Sequence, residues 1–186
     1  MIRTIQIFSI FLILNLLLNS CKTDHSAQTE EAFIKELFQV LAQDNYDLFE
    51  EKFLPDHDFV IHIEEEFTKL KGLTFDPTQA ENKYKIIKRN GHKVYKKLTQ
   101  RKIGQGREDQ LTKVDWSNVK IKKISPKFHV IGDVLGGELL VDINNKGIDC
   151  GIKFRGVYKR GNSHWKIVNY IDYVNCADAP INNLAK

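Results

Sequence analysis

Between Val134 and Val174 three alternating segments are divided by Asn144-Asn145-Lys146-Gly147 and by Arg160-Gly161-Asn162. Both interruptions are rich in hairpin-forming residues. Strand side chains alternate between two faces, so a slip of one residue at either turn would send a whole apolar set to the other side. Pairing Ile143 with Ile148 and Lys159 with His164 puts Leu139, Val141 and Ile143 beside Ile148, Cys150, Ile152 and Phe154. The same face then runs on through Trp165, Ile167, Ile171 and Tyr173. The other face carries Glu138, Asp142, Lys153, Arg155, Lys159 and Lys166, interrupted by Leu140, Val157 and Val168. One apolar face and one wetted face predict an antiparallel meander covered on a single side. Val119 and Ile121 add a strand ahead of it, which Pro126 is expected to keep short.

The covering layer comes earlier in the chain. Thr29 is a good N-cap, Glu30 and Glu31 suit the first turn, and Phe33, Leu37, Val40 and Leu41 give a helical stripe. A second helix is expected from about Asn45 to Phe53, stopped by Pro55. A third is capped by Asp58, carries Phe59, Ile63, Phe67 and Leu70, and ends at Gly72. Asp76, Pro77 and Gln79 mark the start of a fourth. Its stripe is Tyr84, Ile87, Val94 and Leu98, with Asn90-Gly91 a point where it could kink or break and an end by Gly104. The reading is α+β: N-terminal helices packed on one face of a C-terminal four-stranded antiparallel meander.

Ahead of the helices, Arg3 precedes an apolar run from Ile5 to Leu18, and Leu18-Asn19-Ser20-Cys21 follows. Charged start, apolar middle and small-residue end make a secretory signal. The run falls short of the roughly 20 apolar residues of a membrane span and is broken by Gln6, Ser9 and Asn15. The tetrad resembles the lipobox of bacterial lipoproteins. That resemblance implies removal of residues 1–20, acylation (palmitate among the acyl groups) of Cys21, a tether over 21–28, and a membrane-attached protein of the cell envelope. With no Asp directly after the cysteine, it implies the outer membrane, facing periplasm or exterior. Residues 29–176 then form one domain and 177–186 a tail.

The helix-then-meander order resembles the NTF2-like or cystatin-like α+β roll. The stretch Gly151-Ile152-Lys153-Phe154-Arg155-Gly156-Val157-Tyr158, followed by Trp165-Lys166-Ile167-Val168, is similar to the closing strands of such domains. The resemblance implies a pocket between helices and sheet, and in enzyme members an Asp or His on the concave face. In the registers above that face offers Tyr158, Trp165, Asn169 and Tyr173 and no Asp–His pair. Asn169, expected opposite Phe154, is either a pocket hydrogen-bonder or a buried amide satisfied by a helix end, the second being favoured.

Other chemistry is sparse. His57 and His62 lie among acids, but a spacing of five puts them on different helix faces. Asp142 to Asp149 partly matches a calcium loop, yet Lys146 holds a ligand position and the distal Glu is missing. The register sets Asp142 opposite Asp149, a like-charge pair that a cation would relieve, against the favoured reading of a plain polar turn. Once Cys21 is acylated, Cys150 and Cys176 remain as an even pair in an oxidising compartment; a disulfide is favoured over two free thiols. No catalytic residue and no cofactor is assigned.

Charge is segregated. From Asp24 to Glu66 there are thirteen acids and two bases, and from Phe67 to Arg107 twelve bases and two acids. Helices of opposite sign facing each other or water are favoured over a basic face for anionic lipid or glycan. The net charge of +4 is too small to imply nucleic acid. The expected function is therefore a lipid-anchored envelope protein, non-enzymatic, binding a small ligand, a glycan or a neighbouring envelope protein. The alternative is an NTF2-like enzyme or metal-dependent module using the pocket.

Overall fold

The computed structural model describes residues 28–104, 111–174 and 176. Four helices come first. Helix α1 (Glu30–Ala42) is capped by Thr29, whose Oγ1 accepts from Ala32 N at 3.2 Å. Helix α2 (Tyr46–Phe53) is capped by Asn45, which accepts from Leu48 N at 3.0 Å. Helix α3 (His57–Leu70) starts earlier than expected. Asp56, not Asp58, is its cap and accepts from Phe59 N at 2.8 Å. Leu54, held extended ahead of Pro55, lets the helix begin two residues sooner, and Asp58 falls in the first turn where the dipole favours it. Gly72, at φ +65°, closes α3.

Helix α4 (Pro77–Gln100) is capped by Asp76 and runs through Gly91 without the break that Asn90-Gly91 could have introduced. Gly91 is there for packing. A β-carbon at that position would overlap Leu54 Cδ1, so the glycine lets α4 lie directly on the end of α2.

The strands are β1 (Lys102–Ile103), β2 (Thr112–Lys113), β3 (Lys120–Ile131), β4 (Val134–Asn145), β5 (Ile148–Arg160), β6 (Lys166–Ile167) and β7 (Ile171–Val174). A small ribbon pairs β1 with β2. The main sheet is antiparallel in the order β3-β4-β5-β6, with β7 also on β5. The fold is α+β, with the helices N-terminal and the sheet C-terminal.

Four details of the sheet differ from expectation. Pro126 sits inside a twelve-residue β3, opposite Leu139, because β3 is an edge strand that can spare one N–H. The β4–β5 turn pairs Asn145 with Ile148 around Lys146 and Gly147, both at positive φ (+53° and +88°). Ile143 is therefore opposite Cys150. The shift is of two places, which leaves every side chain on its expected face.

The third difference is a β-bulge. Leu139 pairs with Phe154 but Gly137 pairs with Val157, so Arg155 and Gly156 together face Glu138. The extra residue reverses alternation beyond it. Val157 and Lys159 turn into the core, and Tyr158 turns out of it. The expected wet position of Lys159 is thus corrected: it is buried, with Nζ 4.7 Å from the centre of the Trp165 ring. The last difference follows from the third. Residues expected in one strand from Ser163 to Val174 form β6 and β7, separated where the chain bends around Gly156. A β-carbon on Gly156 would lie 2.6 Å from Asn169 Cβ.

The main core lies between α1, α2, the C-terminal half of α4 and the apolar face of the sheet. Phe33 is at its centre, with ring centroids 5.8 Å from Phe53 and 6.4 Å from both Phe154 and Trp165. A smaller cluster joins Phe59 and Ile63 of α3 to Val134, with Phe67, Tyr158 and Val168 packed against it. Cys150 and Cys176 are bonded, with Cα atoms 4.3 Å apart, tying Cys176, two residues beyond β7, to the start of β5. The acidic and basic runs meet across helices: Lys88 pairs with Glu50, Lys83 with Glu64, and His57 Nε2 lies 2.6 Å from Glu81.

Candidate functional site

A cleft of about 620 Å³ opens between α3, α4 and the segment running from β6 to β7. That volume is in the range of small-molecule sites. Helix periodicity places its walls: Ile87, Gly91 and Val94 recur along α4, and Ile63 and Phe67 stand one turn apart on α3. The sheet side is Tyr158, Val168 and Ile171, with Leu54 closing one end. Tyr158 is available because the bulge has turned it out of the main core, where its ring meets Phe67 at 5.9 Å.

The rim is basic. Lys71, Lys83, Lys93 and Lys97 line it, with Glu64 as its one lining carboxylate among the described residues. Lys83 is engaged by Glu64, and Lys97 by the Ile171 carbonyl and by Asp172 Oδ1 at 3.1 Å. Ile86 and Tyr170 at the mouth are 47% and 53% exposed.

Of the four residues expected in a pocket, the structure brings two to the cleft. Tyr158 and Asn169 line it. Asn169 is exposed rather than set against Phe154, which pairs with Ile171, and its Oδ1 accepts from Tyr170 N at 2.8 Å. Trp165 is buried on the core side, stacked at 4.7 Å on Phe128, with Nε1 donating to the Gln28 carbonyl at 2.9 Å. Tyr173 donates to the Leu98 carbonyl at 3.1 Å, and burial pushes its hydroxyl pKa up. Neither lines the cleft. Lys83, Lys93 and Lys97 belong to the basic run read as a possible face for anionic lipid or glycan, and the structure sets them, with Lys71, along the cleft.

The like-charge pair at the β4–β5 turn does not form. Asp142 lies opposite Gly151, while Asp149 lies opposite Asn144 and takes bonds from Lys122 Nζ at 2.7 Å and Asn144 Nδ2 at 2.6 Å. The two-place shift moved Asp149 away from Asp142 and toward cationic and amide partners. Among the described residues no group of three or more His, Cys, Asp or Glu side chains is placed to hold a metal.

His62 and His57 serve separate contacts. His62 Nε2 lies 2.5 Å from Asp133 Oδ1, and Arg160 Nε donates to Asp133 Oδ2 at 2.9 Å, binding α3 to the β3–β4 turn. His62 first, and then Arg160, hold the Asp133 carboxyl down to about 2 from an ordinary 3.8. With a depressed folded pKa, the contribution is complete above the ordinary value and disappears as pH falls toward about 2. Melting temperature should therefore fall on acidification from about pH 4, and Asp133→Asn should flatten that fall. At neutral pH the half-exposed site limits the loss to about 1 kcal/mol or less. An unchanged acid profile in the variant would show that the pair does not fasten α3.

No family model, no curated protein and no solved structure matches the chain. Among the described residues no helix is long and apolar enough to cross a membrane.

Proposed function

We propose that this chain is a lipid-anchored, non-enzymatic protein of the cell envelope that holds a small ligand in the cleft between α3, α4 and the β6–β7 segment. The observation that carries the binding half is the cleft, with apolar walls and a few polar groups at its edge. Helices stacked on an antiparallel sheet with a pocket between them suit the NTF2-like or cystatin-like reading. The carboxylate available to a reaction there, Glu64, is neutralised by Lys83, which favours binding over acid–base chemistry. The anchoring half rests on Leu18-Asn19-Ser20-Cys21, which lies outside the described residues; on that reading the protein would sit at the outer membrane, facing periplasm or exterior.

Two measurements test the halves separately. Cys21→Ala should abolish acylation and release the protein from membranes; a variant still acylated and membrane-bound would end the anchor reading. Native mass spectrometry of the chain purified from its membrane should reveal a bound small molecule. The Ile87→Trp variant, which fills the cleft, should lose it. Retention of the same molecule by that variant would place the ligand elsewhere.

A further inference from the structure

Resting on the cleft as the ligand site, we propose that its occupant is a single-chain anionic amphiphile, a long-chain fatty acid. Its alkyl chain lies along the apolar wall and its carboxylate sits among the lysines of the rim.

The wall suits a hydrocarbon chain. Ile63, Phe67, Ile87, Val94, Val168 and Ile171 line it from three elements. The apolar surface does not stop at the mouth. Ile86 and Tyr170 continue it outward at 47% and 53% exposure. A compact polar ligand would leave that surface wet, whereas a chain entering end-on covers it.

Charge selects the head group. Lys83 and Lys97 are already neutralised by Glu64 and Asp172. Lys71 and Lys93 have no ion-pair partner among the described residues, so the rim has two uncompensated ammonium groups and no spare carboxylate. A cationic head would be repelled, and a neutral head would leave both ammonium groups as they are. A carboxylate at the rim would meet an uncompensated ammonium group, at Lys71 or at Lys93, and form a charge-assisted bond with it. The lysines are exposed and screened, so the head should set selectivity while the chain supplies most of the affinity.

The test is calorimetric titration of the full chain carrying Cys21→Ala. The probes are decanoate, dodecanoate and tetradecanoate below their micelle concentrations, dodecanol, and dodecyltrimethylammonium. Affinity for the acids should rise roughly fourfold per added methylene, the effect of burying one CH₂. Dodecanol should bind at least tenfold more weakly than dodecanoate, and the cation should not bind. Lys71→Glu with Lys93→Glu should weaken dodecanoate at least tenfold and leave dodecanol unchanged. Val168→Trp should abolish both, with circular dichroism confirming the fold. Ile86→Glu, at an exposed position, should weaken every chain length even if Val168→Trp does not fold.

Equal affinity for acid and alcohol, or indifference to charge reversal, would overturn the proposal. If no fatty acid binds but the purified protein carries another molecule that Val168→Trp expels, the fatty acid is excluded while the cleft remains the site. If that molecule persists in a folded Val168→Trp, both fall.

Discussion

Phe33→Ala is expected to lower the unfolding free energy by about 3–5 kcal/mol, the usual loss for a buried aromatic ring replaced by a methyl group. Phe33 is fully buried, and its ring touches elements from three parts of the chain: Phe53 of α2, Phe154 of β5 and Trp165 ahead of β6. Those neighbours are rings with other contacts of their own. Trp165 is stacked on Phe128 at 4.7 Å, and Phe53 meets Phe49 at 5.8 Å. They cannot collapse into the space, so the cavity term is added in full to the lost transfer energy. Urea unfolding should show an earlier midpoint with an unchanged slope. Phe33→Leu keeps more of the volume and should lose less than half as much. Val130, 70% exposed on β3, gives the contrast: Val130→Ala should stay within about 0.5 kcal/mol. A result of that size for Phe33→Ala would mean that α1 is not docked on the sheet.

Opening the Cys150–Cys176 bond is expected to remove about 3.5 kcal/mol, from the chain entropy released when a closed loop of this size opens. The two cysteines are 26 residues apart in sequence, and the loop between them holds most of β5, β6 and β7. Both are buried, at 4% and 7% exposure, so alanine is the suitable replacement and serine would add an unsatisfied hydroxyl. Cys150→Ala, Cys176→Ala and the double variant should be destabilised about equally, because any one of them removes the same constraint. The four-residue β7 should respond first. Among the described residues it pairs only with β5, from Gly151 to Phe154, so its amide hydrogens should lose protection before the rest of the sheet does. A reductant should reproduce the effect in the unaltered protein. A melting temperature insensitive to reductant and to all three variants would contradict the bond's role.

Much of the architecture was legible from residue order. Thr29, Asn45 and Asp76 announced their helices, since a cap is decided by a side chain and the amide two or three residues on. The faces of β4 and of the first half of β5 were also readable, because alternation survives even a two-place error in register. For α3, Asp56 and Asp58 are equally good local caps, and the sequence does not choose between starts two residues apart. In the candidate site, Tyr158 and Asn169 were assigned, but for a face that the bulge later rearranged. Trp165 and Tyr173 carried the same pattern and went to the core.

The chain order of helices and strands, the single apolar face and the caps follow from interactions spanning a few residues, and these are written in consecutive positions. The bulge at Arg155-Gly156, the division of β6 from β7 and the burial of Lys159 follow from contacts between neighbouring strands. Gly156 accepts Asn169 against it, and Gly91 accepts Leu54, for reasons visible only when both partners are in place. The cleft is the furthest from local rules. Lys71 comes from the end of α3, Lys93 from α4 and Val168 from the link between β6 and β7, and no short sequence window contains all three. A shared surface of that kind exists only once packing has brought distant segments together, because its charge and shape belong to the arrangement and not to any one of them.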